Sequence, residues 1–392
     1  MTRQSKIKII AILFTLLLTS NFLVAEIIQD KDFNFSLDLP EGYKIDDYTE
    51  DGMSYIFSHP NIPVTLALKI YYDDSFISSQ SVLKITLEKL TAKGDIDSVK
   101  WSEKNCAISS FTMNLDKAYS GWSVCAPTKI EHSYVALICY APTDLFPKCQ
   151  QFIMSSLNSL CINDDYYYAP GLITTYAYPK EGKKNITVKI AGKQITSSMD
   201  KSDIEASKFL IDLEFAVFSL YAKMPNWKEA WQRYYRMIYR DNCGRTAQFS
   251  SDVFKALYPA CQAQNPANPD ITYAQTLLSW VQNFNYKRST EKTSSDFTSI
   301  PSVLNGEGND CDSRSMLITI MLNNIGIDTI FLISREYSHA LVATDIKAPG
   351  QTYILEETGK EYLFGETTAK VTWGMIAGDQ ADRTKWIPIT LP

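Results

Sequence analysis

Cys311 is the residue whose setting in this chain best suits nucleophilic chemistry. It follows the polar stretch 305–310, and an apolar run of helical length, 316–322, comes shortly after it. Asn309 and Asp310 are good helix N-caps, so the pattern predicts that Cys311 lies in the first turn of a helix. The unpaired backbone N–H groups and the helix dipole favour a thiolate there. A lone cysteine is more often a small buried residue or half of a disulfide, so it needs a partner base.

His339 is the best candidate for that base. A cysteine nucleophile needs an imidazole that is distant in the sequence and adjacent in the fold. The chain has three histidines, and His59 and His132 lie far upstream in a region that we assign to another domain. His339 opens the predicted strand 339–346, and a histidine at the mouth of a strand can face a helix N-terminus. The alternative for His339 is a hydrogen-bonded core imidazole.

Five short segments of the C-terminal half form a pattern together with these two residues: 279–286, 309–312, 325–328, 338–340 and 365–368. From about residue 270 to 392 the chain resembles the bacterial branch of the transglutaminase-like superfamily. The resemblance implies the papain-related fold of cysteine peptidases and acyltransferases. The order Cys, His, carboxylate is the family order. Members usually carry Gly-Asp-Cys or Gly-Tyr-Cys at the nucleophile, and Asn309 replaces that Gly here.

The resemblance implies that Glu366 is the carboxylate of a catalytic triad with Cys311 and His339. Its role would be to orient the imidazole and to stabilise the protonated form. Asp345 is a less suitable partner, because it lies six residues along the same predicted strand as His339, about 20 Å away. A solvated charge at the end of a strand is the alternative for any of these carboxylates.

The choice between Glu366 and Glu357 depends on the strand order. Glu366 can reach His339 if strand 362–368 runs beside strand 339–346 and strand 351–357 lies outside both as a hairpin. A simple meander would instead bring Glu357 near the imidazole. We favour Glu366 and keep Glu357 as the alternative.

The C-terminal domain, residues 201–392, is predicted to be a papain-like or transglutaminase-like α+β unit. A helical lobe would pack against an antiparallel sheet built from residues 327–392, with the cleft between them. Apolar and aromatic residues at helical spacing predict the helices of that lobe, and we interpret them as core. The predicted helices are 203–222, 226–239, 246–262 and 272–284.

Residues 26–162 are predicted to form an α/β sandwich with an antiparallel sheet. Alternating apolar residues predict strands, and a 3.6-residue period predicts two flanking helices. The segment 37–43 ends in a Pro-x-Gly-aromatic turn, through which this region weakly resembles the PsbP-like sandwich; this implies a partner-binding role. The predicted strands are 33–39, 64–70, 107–115, 119–126 and 133–140, and the predicted helices are 80–93 and 145–160.

Two further segments complete the predicted organisation. Residues 1–25 have the positive and apolar regions of a signal peptide, with Ala25 as a plausible cleavage point. This predicts a periplasmic or secreted protein, or a membrane-tethered one if the signal is not cleaved. No other run is long and apolar enough to cross a membrane. Residues 163–200 are predicted to form a linker and a short hairpin.

Charge and cysteine content limit the classes of partner and chemistry. The net charge of −6 without a basic cluster disfavours nucleic acid. Eight cysteines in an oxidising compartment predict disulfides, whose connectivity the sequence does not give. A pair between Cys243 and Cys261 would leave Cys311 reduced. No calcium-loop pattern is present, so neither a metal nor another cofactor is implied.

These observations predict an exported acyl-transfer enzyme acting on the peptide or amide bonds of a peptide or protein substrate. Cys311 would form a thioester and His339 would act as acid and base. The backbone N–H of Cys311 would hold the oxyanion, with Asn305 as a candidate second donor. The alternative is an inactive module in an envelope binding or assembly protein, whose N-terminal domain recognises a partner. Thiol–disulfide exchange is a weaker alternative because no CxxC motif is present.

Overall fold

The computed structural model describes residues 27–288 and 294–391, so the predicted signal peptide lies outside the described residues. Helices and antiparallel sheets are combined, which confirms the predicted α+β class. No helix in the described part of the chain is long and apolar enough to cross a membrane. The division into domains at residues 26–162, 163–200 and 201–392 stays a prediction.

The N-terminal region is built on a seven-stranded antiparallel sheet of order β3-β4-β5-β9-β8-β7-β6. A smaller sheet of order β1-β2-β10 lies beside it. The elements in chain order are β1 Ile28–Asp30, β2 Phe35–Leu37, β3 Lys44–Tyr48, β4 Ser54–Ser58, β5 Thr65–Tyr72, α1 Ser79–Lys89, β6 Asp97–Trp101, β7 Lys104–Asn114, β8 Ala118–Pro127, β9 Ser133–Pro142, α2 Phe146–Asn158, β10 Leu160–Cys161 and the short helix α3 Leu172–Ala177.

Alternation along the strands divides the core of this region between the two faces of the sheet. Leu137 of β9 packs on the face that α2 covers, whereas its neighbour Ile138 packs on the face that α1 covers. All the predicted strands and both helices of this region are present. The prediction missed β1, β3, β4, β6 and β10. Strand β3 is exposed along its whole length, so it carries no alternating apolar signal.

A hairpin of β11 Lys183–Ile190 and β12 Lys193–Asp200 follows, within the segment where a short hairpin was predicted. Its two-residue turn is Ala191-Gly192, and both residues have positive φ, +48° and +80°. This is the type I′ geometry that matches the twist of paired strands. The hairpin packs against a long helix of the C-terminal region.

The helical part of the C-terminal region contains α4 Asp203–Leu220, α5 Trp227–Gln264, α6 Pro269–Val281, α7 Ile300–Leu304 and α8 Cys311–Asn323. The prediction of two helices at 226–239 and 246–262 was wrong, because α5 runs without interruption for 38 residues. The polar residues Arg240, Asp241 and Asn242, which lie between the two predicted helices, are buried. Arg240 donates to four backbone carbonyls, those of Asn158, Ser159, Leu160 and Tyr166.

The continuity of α5 also corrects the expected disulfide. Cys243 and Cys261 both lie on this helix, 18 residues apart, which corresponds to about 27 Å along the axis. A disulfide requires the Cα atoms within about 7 Å, so these two cannot pair. All eight cysteines are buried and unpaired in the structure, which contradicts the expectation of disulfides. Cys311 is therefore free for a reason other than the one predicted.

The C-terminal sheet places β16 beside β14. Its strands are β13 Thr329–Ser334, β14 His339–Thr344, β15 Thr352–Leu355, β16 Lys360–Gly365 and β17 Ile387–Ile389, in the order β15-β16-β14-β13-β17. All neighbours are antiparallel, and Val342 of β14 is opposite Gly365 of β16. This is the strand order that the choice of Glu366 required. Helix α8 packs across β13 and β14.

A buried charge network connects the N-terminal region to α5. Arg233 Nη1 donates to Glu214 Oε2 at 2.7 Å, and its Nε donates to the carbonyl oxygen of Asp38 at 2.7 Å. Arg236 forms a bidentate pair with the Asp38 carboxylate at 2.8 and 2.9 Å. Arg233 and Glu214 are almost completely buried. The two regions therefore meet through charged side chains that are at most 19 % exposed.

Glu41 lies at the same junction, and its substitution by Gln should stabilise the fold. Burial and then the charge of Asp38 raise the pKa of Glu41 to about 8, and its Oε1 atom has no partner among the described residues. Stability from this group is present below its unfolded pKa and is lost as the pH rises through about 8. Glu41→Gln should raise the free energy of unfolding by on the order of 3 kcal/mol at about pH 7. Urea denaturation at several pH values measures this.

The matched control for Glu41 is Glu88→Gln on α1, where the side chain is largely exposed. This variant should leave the pH dependence of unfolding unchanged. The expectation for Glu41 is contradicted if Glu41→Gln has the same pH dependence of stability as the wild-type protein.

Candidate active site at the start of helix α8

Cys311 is the first residue of α8, as predicted. Asp310 is the N-cap, and its Oδ1 accepts hydrogen bonds from the backbone N–H and the hydroxyl of Ser313. These bonds satisfy one of the donors that every helix leaves unpaired at its start. The Cys311 side chain is only 2 % exposed. The thiol is therefore fixed at the helix N-terminus, close under the surface.

The structure joins His339 to Glu366 by a hydrogen bond. His339 Nε2 and Glu366 Oε2 are 2.8 Å apart. Oε1 of Glu366 accepts from both the backbone N–H and the hydroxyl of Thr368, each at 2.6 Å. Burial acts to raise the pKa of Glu366, but the bonds and charge from His339 and the bonds from Thr368 outweigh it and lower the pKa. An ionised Glu366 that fixes the ring is the expected partner of a catalytic imidazole.

Contacts between α8 and the sheet bring Cys311 to the same place as this pair. The backbone N–H of Ala340, next to His339, lies near enough to the Cys311 sulfur to act on the pKa of the thiol. Ser315, one helical turn from Cys311, donates to the Ala340 carbonyl at 3.3 Å and bonds the Thr367 hydroxyl at 3.1 Å. With Nε2 occupied by Glu366, Nδ1 is the ring nitrogen that remains for the thiol. The three predicted site residues are thus gathered at one junction of helix and sheet.

The other predicted residues lie elsewhere. Asn305, the candidate oxyanion donor, is exposed, and its Oδ1 accepts from Lys184 of the hairpin at 2.9 Å. Asp345 pairs with Lys360 at 2.9 Å, at the end of β14 remote from His339. Glu357 lies in the exposed turn between β15 and β16. The antiparallel register puts this turn at the opposite end of β16 from Glu366, so the structure does not bring Glu357 to the imidazole.

Asp312 gives the thiol a second neighbour that sequence reasoning did not assign. Cys311 Sγ donates to Asp312 Oδ1 at 3.1 Å, and the hydroxyl of Tyr235 on α5 donates to Asp312 Oδ2. Burial, followed by the charges of Asp312 and Asp310, raises the pKa of the Cys311 thiol well above its usual range. The expectation that the helix start favours a thiolate was therefore wrong. Two carboxylates and the loss of solvent outweigh the helix dipole.

Asp310 is affected by the same acidic surroundings. Burial and the nearby charges of Asp312 and Asp296 raise its pKa to about 7. Arg288 pairs with Asp296 at 2.9 Å on the adjoining loop, and the charge of Asp312 also acts on this arginine. Tyr286, half exposed, lies within electrostatic range of the sulfur. These residues form the polar margin of the site.

Arg314 gives the side chain of Asn309 a structural role. Its buried guanidinium donates from Nε to Asn309 Oδ1 at 2.7 Å. The remaining nitrogens donate to the carbonyls of Phe284 at 2.9 Å and Thr367 at 3.3 Å. A glycine at position 309 would have no side chain to accept the first bond. One arginine thus ties the loop before the nucleophile to the loop that carries Glu366.

Gln282, the residue after α6, supports the loop that carries Glu366. Its buried Nε2 donates to the carbonyl of Glu366 at 2.8 Å and to that of Val371 at 3.0 Å. Sequence reasoning missed Gln282, Arg314 and Tyr235. The position of Arg314, one helical turn after Cys311, was a signal in the sequence. Gln282 and Tyr235 carried none, because their roles depend on how α5 and α6 pack.

Comparison with known proteins does not assign the chain to a family. No protein-family model and no curated protein matches it. Among solved structures, the cyanobacterial PsbP protein of Synechocystis sp. PCC 6803 is 9 % identical, with a TM-score of 0.30, over 36 % of this chain and 94 % of its own. LpqN of Mycobacterium tuberculosis, involved in cell envelope biogenesis, is 12 % identical, with a TM-score of 0.27, over 35 % and 90 %.

A third structure covers more of the chain. A protein of Parabacteroides distasonis ATCC 8503, proposed to be a protease, is 8 % identical, with a TM-score of 0.20, over 83 % of this chain and 69 % of its own. TM-scores this low do not support an inference about function. The PsbP-like and LpqN structures are weak neighbours of the N-terminal region.

Proposed function

We propose that this protein is an exported, cysteine-dependent acyl-transfer enzyme of the transglutaminase-like kind that acts on peptide or amide bonds. The observation that carries the proposal is the bonded pair of His339 and Glu366 beside the N-terminus of the helix that begins with Cys311. A nucleophile, a base and a residue that orients the base are the three parts required for this chemistry. The proposal that the protein is exported rests on the sequence of residues 1–25.

The reaction begins from the protonated thiol of Cys311. Cys311 Sγ attacks the carbonyl carbon of the substrate while its proton passes to His339 Nδ1, and the π electrons of the carbonyl move to oxygen. Glu366 stabilises the imidazolium through Nε2. When the tetrahedral intermediate collapses, the C–N bond breaks and the imidazolium gives its proton to the leaving amine. A thioester on Cys311 remains.

A second nucleophile resolves the thioester. Water would give a hydrolase, and an amine would give a transglutaminase; in either case His339 removes a proton from the acceptor and returns it to the departing sulfur. The backbone N–H of Cys311 belongs to the first turn of α8, where helical N–H groups have no intrahelical partner. We assign this group as the oxyanion donor.

A peptide library can test the proposal and identify the acceptor. The protein without residues 1–25 is incubated with a proteome-derived peptide mixture, with and without a small primary amine, and the products are identified by mass spectrometry. We expect cleaved or amine-modified peptides with the wild-type protein and none with Cys311→Ala. Products that are equal in the two samples would show that Cys311 is not the nucleophile.

A binding or assembly module is the second candidate function. The observation that favours it is the hydrogen bond from Cys311 to Asp312, because a protonated and buried thiol is a weak nucleophile. In this case the N-terminal region would recognise an envelope partner. Complete absence of Cys311-dependent products from the library, together with an intact fold, would favour this function over catalysis.

A further inference from the structure

The carboxylate of Asp312 is unusual because neither of its direct donors is a cation. Oδ1 accepts from the Cys311 thiol at 3.1 Å and Oδ2 accepts from the Tyr235 hydroxyl. Tyr235 is 3 % exposed and is held by the packing of α5 against α8. Among the described residues, no lysine or arginine forms an ion pair with Asp312. A buried acid without a paired cation costs free energy and therefore calls for a role.

The charged groups around this cluster do not provide that cation. Asp310 lies on the same helix, and Asp296 lies on the adjoining loop, so both add negative charge. Arg288 is a cation whose charge acts on Asp312, but its guanidinium is already bonded to Asp296. On the side of the sheet, the His339 ring is bonded to Glu366. Asp312 thus contacts the active site through its hydrogen bond from the Cys311 thiol.

A structural role alone would not require an acid here. An asparagine would accept the same hydrogen bond from Tyr235 without the cost of burying a carboxyl group. The acid differs from the amide in its effect on the sulfur, because it accepts the S–H hydrogen and opposes a negative charge on the same atom. The acid at position 312 therefore controls whether the Cys311 thiol is protonated and where its S–H bond points.

We propose that Asp312 is a positioning residue that holds the resting Cys311 thiol protonated and directed away from His339, with Tyr235 fixing the carboxylate. This inference rests on the proposed function, because it assigns a resting state to that nucleophile. The S–H···Oδ1 bond breaks before attack, and the same proton then moves to His339 Nδ1. The resting site is consequently resistant to alkylation and oxidation.

The test is the rate of alkylation of Cys311 by iodoacetamide from about pH 6 to about pH 10, followed by peptide mass spectrometry. The rate at each pH reports the ionised fraction of the thiol without any substrate. We expect Asp312→Asn to raise the rate at a given pH by at least about tenfold, which corresponds to lowering the pKa of the thiol by about one unit. Asp310→Asn is the matched control, because it removes a nearby charge that does not bond the sulfur.

Tyr235→Phe tests whether Tyr235 fixes the carboxylate of Asp312. This variant also allows a test of the inference if Asp312→Asn does not fold. It removes the bond that fixes the carboxylate, and we expect it to raise the alkylation rate by less than Asp312→Asn does. The inference is overturned if Asp312→Asn raises the alkylation rate no more than Asp310→Asn does. It is also overturned if Tyr235→Phe leaves the profile unchanged.

Failure of this inference can be distinguished from failure of the proposed function. Alkylation needs neither substrate nor His339, so a raised alkylation rate in Asp312→Asn without Cys311-dependent products from the peptide library would contradict only the enzymatic function. Products that depend on Cys311, combined with an unchanged alkylation rate in Asp312→Asn, would contradict only the role of Asp312.

Discussion

Replacing His339 by Ala should slow the acylation of Cys311 by about 10²- to 10⁴-fold, the usual contribution of a general base. The resting thiol is protonated, so without the imidazole its proton has no acceptor aligned with the attack on a carbonyl. The activated ester p-nitrophenyl acetate allows the measurement without knowledge of the natural substrate. The rate of p-nitrophenolate release under single-turnover conditions reports the acylation step.

His132→Ala is the matched control for this experiment. That histidine lies in the N-terminal region, where it contacts the Phe76 carbonyl, and its loss should not change the acylation rate. Added imidazole should partly restore the rate of His339→Ala, because the substitution leaves space beside Glu366. Equal rates for the wild-type protein and His339→Ala would contradict the role of the imidazole.

The second large effect concerns stability. Arg233→Met should lower the free energy of unfolding by about 3–5 kcal/mol, the usual cost of removing one partner from a buried ion pair. Glu214 would remain 1 % exposed without its cation, and Ser155, whose hydroxyl also bonds Arg233, would lose a donor. Urea denaturation followed by circular dichroism measures the change.

The double variant Arg233→Met with Glu214→Met separates the charge effect from packing. Replacing both partners by apolar side chains leaves no buried charge, so much of the lost stability should return. A loss below about 1 kcal/mol in the single variant would show that the buried pair of Arg233 and Glu214 contributes little to stability.

Local patterns in the sequence were sufficient for much of the fold. The alternation that predicts β5, β7, β8 and β9 follows from a sheet with a helix packed on each face, so every strand residue has a defined side. The start of α8 could be predicted because Asp310 caps it through its own side chain, a contact within three residues. The placement of Glu366 required a strand order, which the resemblance supplied and local patterns did not.

Other features depended on contacts between distant segments. The prediction divided α5 at its polar middle, where Arg240 bonds carbonyls of the N-terminal region that no local window contains. The state of the thiol was mispredicted for the same reason. Helix position favours a thiolate, but the burial that opposes it comes from packing, and Tyr235 reaches Asp312 from 77 positions upstream.

The most direct test of the central claim is to locate the acetyl group after reaction with p-nitrophenyl acetate. All eight cysteines are reduced and buried in the structure, so general thiol reactivity would not single out one of them. We expect one hydroxylamine-sensitive acetyl group per chain, on Cys311, in the wild-type protein and none at any cysteine in Cys311→Ala. An acetyl group on other cysteines, or an equal yield in the two proteins, would contradict the assignment of Cys311 as the nucleophile.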